Sequence, residues 1–155
     1  MSFCDYKFHH TDEYNKLKKL YNSINNKIMN DNNIKFNIHE GDITKGIKWI
    51  WADSSITLSY FENFLNSINL DEKINHFTKS PSKFKLRGAS FITLNESQVI
   101  NSDFHYDAKS HYDTDDTNIL TILFPLYTLD KSMGHLEYDD GDINVYKYDI
   151  NKIIM

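Results

Sequence analysis

The chain opens with a helical pattern of apolar residues. The pattern begins after Thr11, whose hydroxyl can cap a helix ahead of Asp12 and Glu13, two acidic residues that suit a helix start. Apolar residues then recur at helical spacing, at Tyr14, Leu17, Leu20, Tyr21, Ile24 and Ile28. The remaining positions are mostly Lys and Asn, so we expect one face to pack on a sheet and the other to face solvent.

Two short strands and two further helices are predicted before residue 81. The strands are indicated by apolar residues that alternate with polar ones, namely Ile34, Phe36 and Ile38 in the first and Ile47, Trp49 and Trp51 in the second. Ser54 or Asp53 caps the longer helix, and Asp71 opens the shorter one, which ends before Pro81. Residues 1–83 are therefore expected to form a helical and mixed buttress for a sheet.

From Phe84 onward the pattern repeats every second residue, which predicts a β core over residues 84–155. The expected strands cover residues 84–94, 98–107, 118–128, 135–138 and 143–148. Asp140 and Gly141 are favourable hairpin-turn residues between the last two strands. We expect a single domain over residues 1–155, of the α+β class.

The composition excludes several classes of protein. The 155 residues carry a net charge of −5 with Arg87 as the only arginine, so we expect no nucleic-acid partner. The only cysteine, Cys4, cannot form an internal disulfide, which favours a reducing compartment. No apolar run approaches the ~20 residues that span a bilayer, and the N-terminus has no secretory signal. We expect a soluble, cytoplasmic protein with no membrane partner.

A histidine and a carboxylate stand two residues apart at the end of the strand predicted over residues 98–107. His105 and Asp107 share one parity, so on an extended strand their side chains lie on one face. Such a pair can supply two of the three ligands in the facial site of non-haem iron oxygenases. The alternative is a polar strand end without a metal. The tripeptide recurs as His111-Tyr112-Asp113, and we prefer the first copy because it directly continues a predicted strand.

The order of motifs around His105 resembles the core of the Fe(II)/2-oxoglutarate-dependent dioxygenases. In that family a His-x-Asp ends one strand of a double-stranded β-helix, an apolar strand follows, and a Gly-x-Leu-Glu-aromatic strand comes next. The corresponding stretches here are His105-Tyr106-Asp107, Asn118 to Thr128, and Gly134-His135-Leu136-Glu137-Tyr138. The resemblance covers roughly residues 85–155.

The resemblance implies N-terminal helices packed on a double-stranded β-helix of the jelly-roll or cupin type. It also implies an oxygenase that binds Fe(II) through His105 and Asp107 and takes 2-oxoglutarate as a small-molecule co-substrate. The co-substrate would be decarboxylated to succinate while an unidentified substrate is hydroxylated. Arg87 or Lys152 would meet a carboxylate of 2-oxoglutarate, although no motif selects either residue.

The chain departs from the family pattern after Tyr138. The family has a distal histidine followed by a basic residue that binds 2-oxoglutarate, whereas residues 139–155 contain neither histidine nor arginine. We therefore expect the β-helix to be incomplete at its C-terminus. The third ligand is left open between His135 and a residue of a second chain. A homodimer would form if strands in Ile143–Met155 paired between protomers because their apolar end is exposed.

Two other functions stay open. The alternative from a different class is a truncated, catalytically silent jelly-roll that serves as a binding or assembly module, and the missing distal histidine favours it. A cupin-type metal enzyme that uses no 2-oxoglutarate is a further option. The fold alone does not choose among these functions, and the sequence does not identify a substrate.

Overall fold

The computed structural model describes residues 5–29, 31–40, 47–79, 81, 83–94, 120–128, 136–139 and 141–155. Backbone contacts divide the chain into two compact units. One, the helical unit, covers His9–Gln98, and the other, the terminal unit, joins Met1–Phe8 to Val99–Met155. The border predicted at residue 83 falls inside the helical unit, and the single-domain prediction stays a prediction.

The described elements mix helices with antiparallel strands, which confirms the α+β prediction at the level of class. In chain order they are β1 (Asp5–Lys7), α1 (Asp12–Asn25), β2 (Phe36–Glu40), β3 (Ile47–Ala52), α2 (Ser55–Ser67), α3 (Leu70–Thr78), β4 (Ser90–Leu94), β5 (Leu136–Asp139), β6 (Ile143–Tyr146) and β7 (Lys152–Ile154). Among the described helices, none has both the length and the apolar character needed to cross a membrane.

The first two helices begin at the caps that the sequence predicts. Thr11 Oγ1 accepts a hydrogen bond from the Tyr14 backbone N–H at 3.2 Å, so α1 starts at Asp12. Ser54 caps α2 in a reciprocal arrangement in which its Oγ accepts from Thr57 N at 3.1 Å and its own N–H donates to Thr57 Oγ1 at 3.0 Å. Each cap satisfies backbone donors that the first turn of a helix leaves unpaired.

The core of the helical unit lies between its sheet and the helices α1 and α2. The sheet is antiparallel in the order β2-β3-β4, with Ile50 opposite Phe91. Phe91 contacts aromatic rings from three elements: its ring centroid lies 5.4 Å from that of Tyr21 on α1, 5.0 Å from Phe61 on α2 and 5.9 Å from Phe36 on β2. Phe91 and Ile50 are buried, so this face of the sheet is the packed one.

The strand predicted over residues 84–94 forms only as Ser90–Leu94, so its predicted start is wrong. The cause lies in its partner. Strand β3 ends at Ala52, whose N–H donates to Ala89 O at 2.9 Å, and Ser54 then turns the chain into α2. Within the described part of the chain, residues 83–88 therefore have no strand beside them and take no ladder conformation.

The terminal unit contains the hairpin that the sequence predicts. Strand β5 pairs with β6 in antiparallel register, with Glu137 opposite Val145. Gly141 adopts a φ of +119°, a value that only glycine reaches without strain, which explains its place in the turn. The hairpin has one outward face, since Ile143 and Val145 are exposed while Tyr146 is buried.

The ends of the described chain pair with each other. Strand β1 is antiparallel to β7, with Asp5 opposite Ile154. Ile154 also exchanges two backbone hydrogen bonds with Leu123, at 3.0 and 2.8 Å. Leu123 is the only bridge position in residues 120–128, where the sequence predicts a continuous strand over 118–128. Pro125, two residues after Leu123, has no backbone N–H to donate to a continued strand pairing.

The C-terminal apolar residues are not the exposed edge that the sequence suggests. Ile153, Ile154 and Met155 are 0%, 3% and 6% exposed, because β7 lies between β1 and Leu123. The expectation that this end is bare is therefore wrong, and the argument for a homodimer that rested on it does not hold. Pairing between protomers through residues 143–155 stays a prediction.

Phe91 and its neighbour Ile92 offer a matched test of which sheet face is packed. Phe91→Ala removes the ring at the centre of the aromatic cluster and should lower the free energy of unfolding by about 3–5 kcal/mol. Ile92 points to the opposite face and is 49% exposed, so Ile92→Ala should cost less than about 1 kcal/mol. Urea unfolding followed by circular dichroism measures both. Equal losses in the two variants would contradict the assignment of the faces.

Candidate functional site

The residues predicted to bind a metal lie outside the described part of the chain. This holds for His105 and Asp107, for the alternative pair His111 and Asp113, and for His135. The described elements that adjoin them in sequence are residues 120–128 and strand β5, both in the terminal unit. These two elements are the described parts of the chain nearest in sequence to the predicted ligands.

The described residues contain no complete metal site of their own. Among them, no group of three His, Cys, Asp or Glu side chains is arranged to hold a metal ion. The ring of His10 stacks on Tyr14, with centroids 4.4 Å apart and planes 19° apart. His76 is exposed in the last turn of α3, where a histidine suits the negative end of the helix dipole. His10 thus has a packing contact, and His76 lies on the surface of α3.

The Gly-x-Leu-Glu-Tyr motif continues into a strand, as the sequence predicts. Its last three residues, Leu136, Glu137 and Tyr138, all lie on β5, directly after His135. Tyr138 stands opposite Asn144 and Glu137 opposite Val145 on β6. The hairpin thus gives the chain after His135 a fixed direction and register.

Lys152 is already engaged with a carboxylate. Its Nζ donates to Asp5 Oδ2 at 2.7 Å across the β1–β7 ladder. The hydrogen bond to Asp5 and the negative charge of that carboxylate raise the pKa of Lys152 above its usual range. An ammonium group that already has an anionic partner is a poor candidate to bind 2-oxoglutarate. Arg87, the other residue predicted to meet a carboxylate of 2-oxoglutarate, lies in the helical unit.

Tyr146 has the most perturbed acid–base group of the described residues. Burial of its hydroxyl, followed by the negative charges of Asp5 and Asp149, raises the pKa of Tyr146 to about 12. Burial also raises the pKa of Tyr148, whose ring meets Tyr146 edge-on at 5.9 Å. At neutral pH both phenols stay protonated, so they can donate hydrogen bonds but cannot act as bases.

Sequence reasoning missed this cluster of Asp5, Tyr146, Asp149 and Lys152. Asp5 and Lys152 are 147 residues apart, so no local spacing connects them. The one available signal is the pair of short apolar-polar segments at the two ends of the chain, and it does not reveal that they pair.

The titration of Tyr146 gives a test with a definite sign. Its folded-state pKa of about 12 exceeds the ordinary 10.0, so the stability it contributes is complete below pH 10. That contribution is lost as the pH rises from 10 towards 12, because the unfolded chain releases the proton first. We expect Tyr146→Phe to remove one tyrosine from the alkaline end of the absorbance titration.

An unchanged late phase in Tyr146→Phe would contradict the burial of this hydroxyl.

Comparison with known proteins adds no relative. No protein-family model, no curated protein and no solved structure matches the chain. The function has to be argued from the residues themselves.

Proposed function

We propose that the chain is an oxygenase of the Fe(II)/2-oxoglutarate class. The observation that carries the proposal is an ordered set of motifs: a His-x-Asp pair at His105 and Asp107, an apolar segment, and a Gly-x-Leu-Glu-Tyr stretch that ends on β5. A His-x-Asp tripeptide alone is common by chance, whereas the three motifs in this order resemble the family's core.

His105 and Asp107 would hold the metal from one face of a strand. The imidazole supplies a neutral nitrogen and the carboxylate a negative oxygen, a pair of ligands that suits Fe(II) and leaves coordination positions open. When bound, Fe(II) supplies the centre at which O₂ reacts. In the balanced reaction, 2-oxoglutarate, O₂ and a substrate C–H bond give succinate, CO₂ and a C–OH bond.

The finer fold that we propose is a double-stranded β-helix built by the terminal unit. Its support is the antiparallel pairing of β5 with β6 and of β1 with β7. Antiparallel pairs of this kind are the units from which jelly-rolls are built. Residues 139–155 contain no counterpart of the family's distal histidine.

His135 is our candidate for the third ligand. It is the histidine nearest in sequence to β5, which begins at the next residue, Leu136. The described residues contain no competing cluster of ligands.

A second candidate function is a catalytically silent jelly-roll that binds or assembles with partners. One described observation favours it. Lys152, a candidate to bind the co-substrate, pairs with Asp5, and its neighbours Ile153 and Ile154 are buried in the β1–β7 ladder. The described contacts of β7 thus support a packing role for this strand.

An anaerobic titration with Fe(II) and then 2-oxoglutarate separates the two functions. The oxygenase should show the visible charge-transfer band of an iron–2-oxoglutarate chelate, and air should then yield succinate. His105→Ala should abolish the band because it removes a metal ligand. His111→Ala is the matched control from the second His-Tyr-Asp tripeptide and should leave the band intact.

His135→Ala tests the third ligand in the same titration and should weaken Fe(II) binding at least about tenfold. The loss of a group that only supports a metal ligand already weakens binding about 10–100-fold, so the loss of the ligand itself should cost no less. A well-folded protein that shows no band and forms no succinate would contradict the oxygenase proposal and favour the silent module.

A further inference from the structure

The outer face of the β2-β3-β4 sheet carries both tryptophans of the protein. Trp49 and Trp51 alternate with Ile50, which is buried on the packed face, so the two indoles lie on the opposite side. Trp51 is 44% exposed and Ile92, which stands opposite Trp49, is 49% exposed. Trp49 itself is half-buried. We call this side of the sheet the tryptophan face, defined by Trp49, Trp51 and Ile92.

Trp51 lies at the centre of a polar cross-strand row. Its partners in register are Asn37 on β2 and Ser90 on β4. At the end of the row its ring lies over Gly88, where an added Cβ would meet Cζ3 of Trp51 at 4.0 Å. The exposed indole of Trp51 thus has residues that can form hydrogen bonds beside it on both neighbouring strands.

Basic residues are concentrated in the chain segment just before strand β4. Residues 73–95 contain five lysines and arginines and no aspartate or glutamate. Lys83, Lys85 and Arg87 are exposed and alternate with Phe84 and Leu86, which are half-buried. Because Gly88 lies against Trp51, the cation at Arg87 is one residue away from the exposed indole.

The overall charge conceals this local excess. The helical unit carries 12 basic against 10 acidic residues, a net charge of +2, whereas the rest of the chain carries 5 against 12, a net charge of −7. The expectation of no nucleic-acid partner used the sum over both units. An asymmetry of this kind between two parts of a chain is a recognised sign of an anionic partner for the basic part.

We propose that the tryptophan face, with Lys83, Lys85 and Arg87, binds single-stranded nucleic acid. Unstacked bases lie on the faces of aromatic side chains in such sites, while lysine and arginine neutralise the phosphates. The two indoles are two residues apart on one strand, about 7 Å, which lets successive bases of an extended strand stack on them. Bases inside a duplex are already stacked, so the surface favours single strands.

An anionic membrane is the other polyanion that tryptophan and lysine recognise. The polar residues that stand beside Trp51 in register argue against a membrane partner. Asn37 and Ser90 flank the indole, and insertion of Trp51 into lipid would strip water from both polar side chains. Bases offer hydrogen-bonding edges to those groups, and a bilayer does not.

Intrinsic fluorescence reports on this face alone, because the protein has two tryptophans and both lie there. We expect short oligouridylate and oligothymidylate to quench the emission of the full chain at low salt, and the matching duplex to bind at least about tenfold more weakly. Anionic phosphatidylserine vesicles should leave the emission unchanged. A blue shift with vesicles and no quenching by oligonucleotides would overturn the proposal in favour of a membrane surface.

Charge variants test the basic residues. Lys85→Gln/Arg87→Gln should lower the slope of log affinity against log salt concentration by about 1.4, because each lost phosphate contact on a single strand contributes about 0.7. The matched control is Lys19→Gln/Lys27→Gln, which removes two exposed cations from α1 and the turn after it and should leave the slope unchanged. Equal effects of both pairs would reduce the binding to non-specific attraction and overturn the site.

Trp51→Ala should weaken binding about tenfold through lost stacking, while Trp51→Phe, which keeps a ring, should lose less. Circular dichroism establishes that each variant is folded. Equal affinity of folded Trp51→Ala and the unchanged chain would overturn the role of the indole.

Discussion

The helical unit depends on the packing of one side chain, Phe91, against aromatic rings from α1, α2 and β2. Its ring lies within 6 Å, centroid to centroid, of Tyr21, Phe61 and Phe36. This single residue of β4 ties the sheet to both helices, and its burial determines which face of the sheet is inside. Because side chains alternate along a strand, the same contact places Trp49, Trp51 and Ile92 outside.

The terminal unit depends on contacts of the opposite kind, between segments far apart in sequence. Strand β7 pairs with β1 on one side and meets Leu123 on the other, which buries Ile153 and Ile154 completely or nearly so. The ion pair between Asp5 and Lys152 crosses the same ladder, and the buried Tyr146 hydroxyl responds to the charge of Asp5. The electrostatics of this unit thus arise from joining the two ends of the chain.

Sequence reasoning succeeded where structure is decided locally. The Thr11 and Ser54 caps, the three helices and the β5–β6 hairpin are set by residues within a few positions of each other. It failed where a distant partner decides. Strand β4 starts at Ser90 and not at Phe84 because β3 ends at Ala52, and the C-terminal isoleucines are buried because β1 covers them. The metal site stays a prediction from its motif, because His105 and His111 both lie outside the described residues.

Acrylamide quenching of tryptophan fluorescence tests most directly whether the sheet has one packed face and one open face. Since both tryptophans lie on the outer face, the account predicts strong quenching of the folded protein in the absence of any ligand, with Trp51→Phe removing the more accessible part. Emission that resists acrylamide until the protein is unfolded would show that both indoles are shielded. That result would contradict the open face and with it the proposed binding surface.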